Sequence, residues 1–213
     1  MLSRIGGKMN TAEKIMKKKT FIKCEADKLL SKAESDKLWR VSTVRLNKIL
    51  IKYAGLPKGV HTHTDNFIFP AAAIYLTYRK AVGDEKAYSI IEKSAAMNAG
   101  SKGKKLAKLM RIPGMPDLFI KIWDPMTRKM FGVSCGFKNR FYPEKKGEYR
   151  MDILECPYNR YFTELGCPEL TKLFCKNDEL MYGDLPGLEF IRTSTLGNGG
   201  ECCDFYLRRD RNK

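Results

Sequence analysis

The spacing of apolar residues changes along this chain, from a helical repeat to short β-rich runs. In the first half, Ile22, Ala26 and Leu29 recur at intervals of four and three residues, as they do along one face of a helix. The later β-rich runs cover residues 131–137, 148–155, 188–195 and 202–208. Helices first and strands later predict an α+β fold. We expect a single domain, with a helical half over residues 1–110 packed on an antiparallel sheet with short helices over residues 111–213.

Glycine and proline set the predicted ends of several elements. Gly100 and Gly103 predict a break in the helical half, and the prolines of residues 111–125 predict a long connecting stretch. The helix that contains Cys175 is predicted to end at about Lys176, which puts Cys175 in its last turn and Asp178 just beyond it. The glycine-rich run at residues 197–200 predicts a tight hairpin between the last two strands.

Composition excludes a membrane-spanning protein. The chain is 43% hydrophobic and 30% charged, as is typical of globular domains. The longest uncharged apolar run, residues 67–76, is about half of the roughly 20 residues that a membrane-spanning helix needs, and it contains Pro70. No apolar core follows the early basic residues Arg4 and Lys8, so we expect no secretory signal and a cytoplasmic protein.

The net charge of +16 raises the question of nucleic-acid binding. Residues 1–58 carry 15 lysines and arginines against 5 acidic residues, so much of the excess is N-terminal. These cations alternate with carboxylates such as Glu25 and Asp27, a pattern that is typical of solvated helix faces. We therefore do not expect a nucleic-acid partner. The expected partner is a small-molecule substrate, and no membrane partner is expected. A homo-oligomer is compatible with the sequence.

The most informative residues for the chemistry of this chain are its cysteines, most of which lie in the C-terminal half. Their number, seven, is odd, which favours reduced thiols over a disulfide framework. Cys156, Cys175 and Cys203 each stand beside an acidic residue or a residue that breaks regular structure. Thiols and carboxylates at the ends of elements are typical of nucleophilic or metal sites. Vicinal Cys202 and Cys203 would point to opposite faces of a strand, so at most one of them faces a given cavity.

Several C-terminal motifs together resemble those of the L-2-amino-thiazoline-4-carboxylic acid hydrolase family, most strongly over residues 148–208. The motifs are Cys156-Pro157-Tyr158, Glu164-Leu165-Gly166-Cys167-Pro168-Glu169-Leu170, Cys175 with Asp178, Phe190-Ile191-Arg192-Thr193-Ser194-Thr195-Leu196 and Gly200-Glu201-Cys202-Cys203-Asp204-Phe205. The resemblance implies ring-opening hydrolysis of a thiazoline to a carbamoyl-cysteine product.

Opening such a ring requires attack on an electron-poor C=N carbon and protonation of the leaving atom. A thiolate can attack, and a carboxylate can move the proton. Cys175 and Cys203 are equally good candidates for the nucleophile, and the planar fork of Arg192 suits a substrate carboxylate. The predicted catalytic residues are Cys175, Cys203, Asp178 and Asp204, and the predicted substrate-binding residues are Arg192 and Cys156.

The same side chains allow a second interpretation, a non-catalytic domain that binds a small molecule or a metal. No cofactor is predicted, but zinc or iron is the alternative, with the ligands Cys156, Cys175, Cys203 and Asp178. The close Cys-x2-Cys pairs of structural zinc sites are missing from the sequence. We predict small buried hydrophobic roles for Cys24, Cys135 and Cys167, and a solvated loop for His61 and His63.

Overall fold

The computed structural model describes residues 11–143 and 145–210. Helices dominate up to residue 130 and a four-stranded sheet follows, which confirms the predicted α+β class. The helices are α1 (Thr11–Lys17), α2 (Thr20–Asp27), α3 (Lys32–Lys52), α4 (Lys58–His63), α5 (Phe69–Val82), α6 (Asp84–Met110), α7 (Met115–Met130), α8 (Pro157–Glu164) and α9 (Leu170–Tyr182). The strands are β1 (Lys138–Phe141), β2 (Glu148–Glu155), β3 (Leu188–Ile191) and β4 (Cys203–Arg209).

The N-terminal expectations are tested only in part. Arg4 and Lys8, on which the expectation of no secretory signal rests, lie outside the described residues. Among the residues that are described, none of the helices combines the length and the apolar content that a bilayer crossing requires.

The sheet is antiparallel throughout, in the order β1-β2-β4-β3. One of its faces packs into a hydrophobic cluster that includes Met151, Ile153 and Leu207 and is covered by Ile120 and Trp123 of α7. A second cluster joins the N-terminal helices to α8 and α9. Helix α9 packs along α6 and also contacts the loop between β3 and β4. The thiol-bearing segments therefore meet where the helical and sheet regions join.

Helix α6 runs without a break from Asp84 to Met110, so the predicted interruption at Gly100 and Gly103 is wrong. Gly103 is buried, and a Cβ atom built on it would lie 2.5 Å from the backbone oxygen of Leu180 in α9. A Cβ on Gly100 would meet no atom within 4 Å. Glycine at position 103 therefore allows two helix backbones to approach closely, and this packing overrides its low helix propensity.

Replacing Gly103 by alanine should lower the free energy of unfolding by about 1–3 kcal/mol, because the new methyl group pushes α9 away from α6. Gly100→Ala is the matched control, since it adds the same methyl group to the same helix in open space. It should leave stability unchanged or raise it by up to about 1 kcal/mol. Urea unfolding measures both, and an equal response of the two variants would contradict the close-packing explanation.

The proline-rich stretch after residue 110 is also helical, contrary to the prediction. Pro116 occupies the first turn of α7, where a backbone N–H is not needed, and Pro125 lies inside the helix. Ile120, Trp123 and Thr127 are buried along one face. Burial of this face against the sheet stabilises α7 and offsets the free-energy cost of the backbone hydrogen bond that Pro125 cannot make.

Two predicted strand features differ from the structure. Residues 131–137 are not a strand, and β1 begins only at Lys138. β3 and β4 pair antiparallel as expected, but their register joins Ile191 to Tyr206, far from the glycine-rich run. That run lies in a longer loop with a 3-10 turn at Leu196–Asn198, so the tight hairpin is wrong. Strand β2 coincides with the predicted residues 148–155.

Candidate active site

Cys175 and Cys203 come together although they lie on different elements. Cys175 is in the interior of α9, which continues to Tyr182, so the predicted helix end near this residue is wrong. Cys203 is the first residue of β4 and is buried. Its thiol lies near enough to Cys175 for each to shift the pKa of the other, and all seven cysteines are free.

The pKa values of the two thiols are shifted in opposite directions. The hydrogen bond from Cys203 lowers the pKa of Cys175, burial opposes this shift, and the positive charge of Arg192 adds to the lowering. For Cys203, the hydrogen bond to Cys175 and burial both raise the pKa. The negative charge therefore resides on Cys175, and Cys203 remains a neutral donor.

Arg192 is the buried cation of the site, with a side chain that is 1% exposed. Its Nη1 donates to Asp178 Oδ2 at 2.9 Å, and its Nη2 donates to Glu179 Oε1 at 2.8 Å and to the Cys175 backbone oxygen at 2.7 Å. Its Nε has no hydrogen-bond partner among the described residues. The guanidinium thus holds α9 to the loop after β3, and its predicted role as a carboxylate clamp stays a prediction.

Asp178 faces the same guanidinium but keeps contact with solvent, since a third of its side chain is exposed. Desolvation by the surrounding protein raises the pKa of Asp178 to about 6, although Arg192 opposes this shift. A carboxyl group with this pKa exchanges its proton near neutral pH, as a general acid or base must.

Cys156 precedes α8, close enough to Cys175 and Asp178 to feel their charges. Burial raises the pKa of Cys156 to about 12, and the backbone N–H groups at the start of α8 oppose this shift only in part. Cys156 is therefore a neutral, largely apolar side chain that packs against the hydrophobic cluster of the sheet, and it is not a second nucleophile.

Asp204 is used by the loop that follows β3. Its carboxylate accepts hydrogen bonds from the backbone N–H groups of Thr193 at 3.0 Å and Ser194 at 2.6 Å, and from the Thr193 hydroxyl at 2.6 Å. Burial alone would raise the pKa of Asp204, but these hydrogen bonds lower it. Neighbouring residues on a strand point to opposite faces, so Asp204 points away from Cys203. Its predicted catalytic role stays a prediction.

The loop lies directly over the thiols because of a glycine. A Cβ atom built on Gly197 would lie 3.0 Å from the sulfur of Cys175 and 3.0 Å from Cγ2 of Thr171. The backbone N–H of Leu196 donates to the sulfur of Cys203 at 3.3 Å, and Thr195 caps the 3-10 turn through Asn198. This loop shields Cys203 from solvent.

A small pocket of about 220 Å³ opens at Cys175. Its polar lining includes Arg192, Tyr88, Glu92, Lys172, Lys176, Glu179 and Asn198. The sequence analysis missed Lys172, Lys176 and Glu179. Their spacing of four and three residues places them on one helix face with Cys175, a signal that was hidden because the helix was predicted to end too early.

No metal centre forms from the predicted alternative ligands. Within residues 11–143 and 145–210, no three His, Cys, Asp or Glu side chains are placed so that they could hold an ion together. The set of Cys156, Cys175, Cys203 and Asp178 is thus not such a group.

Of the predicted site residues, Cys175 and Arg192 line the pocket, whereas Cys156, Cys203, Asp178 and Asp204 do not. The other cysteines and the histidines also fall outside its lining. Cys135 and Cys167 are buried as predicted, but Cys24 is exposed, so that prediction is wrong. His61 and His63 lie in and at the end of α4 rather than in a solvated loop. His63 is buried, with Nε2 donating to the Met130 backbone oxygen at 2.7 Å and Nδ1 accepting from the Tyr158 hydroxyl at 3.2 Å.

A family model described as L-2-amino-thiazoline-4-carboxylic acid hydrolase matches residues 62–207, more than half of the chain. The matched residues include the thiols, the carboxylates and Arg192. Among curated proteins and among solved structures, none matches this chain.

Proposed function

Since this chain belongs to the L-2-amino-thiazoline-4-carboxylic acid hydrolase family, we propose that it opens a small cyclic C–N/C–S compound such as an aminothiazoline carboxylate by hydrolysis. The observation that carries the proposal is the position of Cys175 at the pocket, next to Cys203 and Arg192, which lower its pKa. A thiol whose pKa is lowered, at the wall of a small polar pocket and beside a carboxyl group with a pKa of about 6, has the properties of an activated nucleophile.

The proposed reaction starts with attack of the Cys175 thiolate on the carbon between the ring nitrogen and the ring sulfur. The electron pair of the C=N bond moves to nitrogen, and the ring then opens as the leaving nitrogen or sulfur takes a proton from Asp178. Water adds to the resulting covalent intermediate and gives its proton to the Asp178 carboxylate. Collapse of this adduct expels the Cys175 thiolate and releases the carbamoyl product.

The pocket lining suits a small molecule that carries both charges. Lys172 and Lys176 are exposed at the pocket and supply cations for a carboxylate, while Glu92 and Glu179 supply anions for a protonated amidine. Arg192 already holds Asp178 and Glu179, and Lys176 pairs with Glu92 at 3.8 Å. Lys172 is therefore the better candidate for the first contact with the substrate carboxylate.

Incubation of the purified protein with 2-aminothiazoline-4-carboxylate tests the proposal. We expect conversion to a product heavier by one water, detected by mass spectrometry. The rate should fall at low pH, where Cys175 takes up a proton, and at high pH, where Asp178 loses the proton that it donates. Stoichiometric binding of the compound without turnover would favour the alternative, a non-catalytic small-molecule-binding domain. Neither binding nor turnover would contradict the proposed substrate class.

A further inference from the structure

The corner where α6 meets α7 exposes aliphatic side chains. Leu109 and Ile112 at the turn, and Leu118 and Ile122 on α7, are each between 42% and 52% exposed. Leu118 and Ile122 are one helical turn apart, so they share the face of α7 opposite to its buried residues. We call the exposed residues of 104–130 the corner surface. It shares no residue with the pocket at Cys175.

The corner surface is also strongly cationic. Its carboxylates, Asp117 and Asp124, are both already paired, with Arg209 at 3.0 Å and with Arg128 at 2.7 Å respectively. The exposed cations of this stretch are Lys104, Lys105, Lys108, Arg111, Lys121, Arg128 and Lys129. Apart from Arg128, which pairs with Asp124, these cations have no ion pair with a carboxylate of this stretch, so the surface presents aliphatic groups in a positive field.

The positive field extends along α6 toward the N-terminal helices. Lys102 lies on the same side of α6 as Lys105 and Leu109, at helical spacing. Burial, followed by repulsion from Lys102 and Lys18, lowers the pKa of Lys19 to about 8. Repulsion from Lys102 is thus a secondary cause of this shift, after burial.

We propose that the corner surface binds the surface of anionic phospholipid bilayers, with the aliphatic side chains in the headgroup region and the lysines and arginines on lipid phosphates. Exposed aliphatic residues flanked by Lys and Arg are the combination that such an interface selects. The sequence-based expectation of no membrane partner rested on the length of a spanning segment, and a peripheral contact needs no span.

Charge and side-chain type disfavour the other occupants. Two copies that met through this surface would bring positive charge against positive charge. Single-stranded RNA would fit the charge, but base stacking needs open aromatic faces. The aromatic residues of this stretch do not provide them, since Trp123 is buried and Phe119 is half-buried.

Vesicle flotation tests the proposal with the full chain. The protein should float with vesicles of phosphatidylglycerol and phosphatidylcholine and not with phosphatidylcholine alone, and the binding should weaken as salt is added. The double variant Ile112→Glu with Ile122→Glu should bind at least roughly tenfold more weakly, because it loses two apolar insertions. Lys108→Glu with Arg111→Glu should lose about as much through charge, since each cation contributes roughly fivefold.

The matched control is Val44→Glu with Ile51→Glu, which changes two exposed aliphatic residues of α3 that are 59% and 68% exposed. It should bind vesicles like the unchanged protein, apart from the general effect of two added charges. Far-UV circular dichroism during heating checks that each variant folds. Equal losses in the control and in Ile112→Glu with Ile122→Glu would overturn the proposal, as would binding to polyuridylate without binding to anionic vesicles.

Discussion

Replacing Cys175 by alanine is expected to reduce the rate of aminothiazoline ring opening by roughly 10³-fold or more, because it removes the proposed nucleophile. The side chain faces the pocket, and the structure provides no second thiolate there, since Cys156 and Cys203 both have raised pKa values. Product formation measured by mass spectrometry under single-turnover conditions compares the variant with the unchanged enzyme.

Two further cysteine variants sharpen this test. Cys24→Ser, at an exposed position outside the pocket lining, should keep the full rate. Cys203→Ala removes the hydrogen bond that lowers the pKa of Cys175, so that pKa should rise. The acidic limb of the rate profile should then move to higher pH. Full turnover by the Cys175→Ala protein would show that the nucleophile is elsewhere.

Replacing Arg192 by methionine should destabilise the fold by about 3 kcal/mol, the low end for removal of one partner from a buried ion pair. The side chain is 1% exposed and joins Asp178, Glu179 and the Cys175 backbone oxygen. The cost stays at the low end because both carboxylates keep partial contact with water. Arg160→Met is the matched control, since Arg160 pairs with Glu164 on the surface and should cost less than about 1 kcal/mol.

The destabilisation of the Arg192→Met protein should also depend on pH. The folded-state pKa of Asp178, about 6, is above its unfolded value, so ionisation of Asp178 destabilises the fold as the pH rises through that range. Arg192 lowers this pKa, and without it the pKa should rise further. The variant should therefore lose more stability relative to the unchanged protein at pH 8 than at pH 5, as measured by urea unfolding. A loss of stability that is constant with pH would show that the pKa of Asp178 does not depend on Arg192.

Local signals predicted some elements well and others poorly. Strand β2 matched because its apolar residues alternate with polar ones and a turn precedes it. Gly103 and Pro125 misled the prediction because both residue types are unfavourable inside helices. Contacts with distant parts of the chain stabilise the helices that contain them. Gly103 meets the backbone of α9, and α7 buries one face of its helix against the sheet. Local propensity cannot report a neighbour that is distant in sequence.

In the candidate site too, the sequence identified some residues and missed others. The sequence identified the chemistry-bearing residues Cys175, Cys203, Asp178 and Arg192, and the structure places them close together. It missed the lysines of the pocket, because the helix that carries them was predicted to end near Cys175. Asp204, next to Cys203 in sequence, points to the other face of the strand.

By itself, the sequence determined the α+β class, the family and the residue types available for chemistry, since these depend on periodicity and on the identity of side chains. Only the tertiary structure decided which sulfur carries the charge. The sequence left Cys175 and Cys203 equivalent, because a thiol pKa depends on burial and on groups within a few ångströms. The hydrogen bond from Cys203 and the charge of Arg192 reach Cys175 only once α9, β4 and the loop between β3 and β4 have packed together.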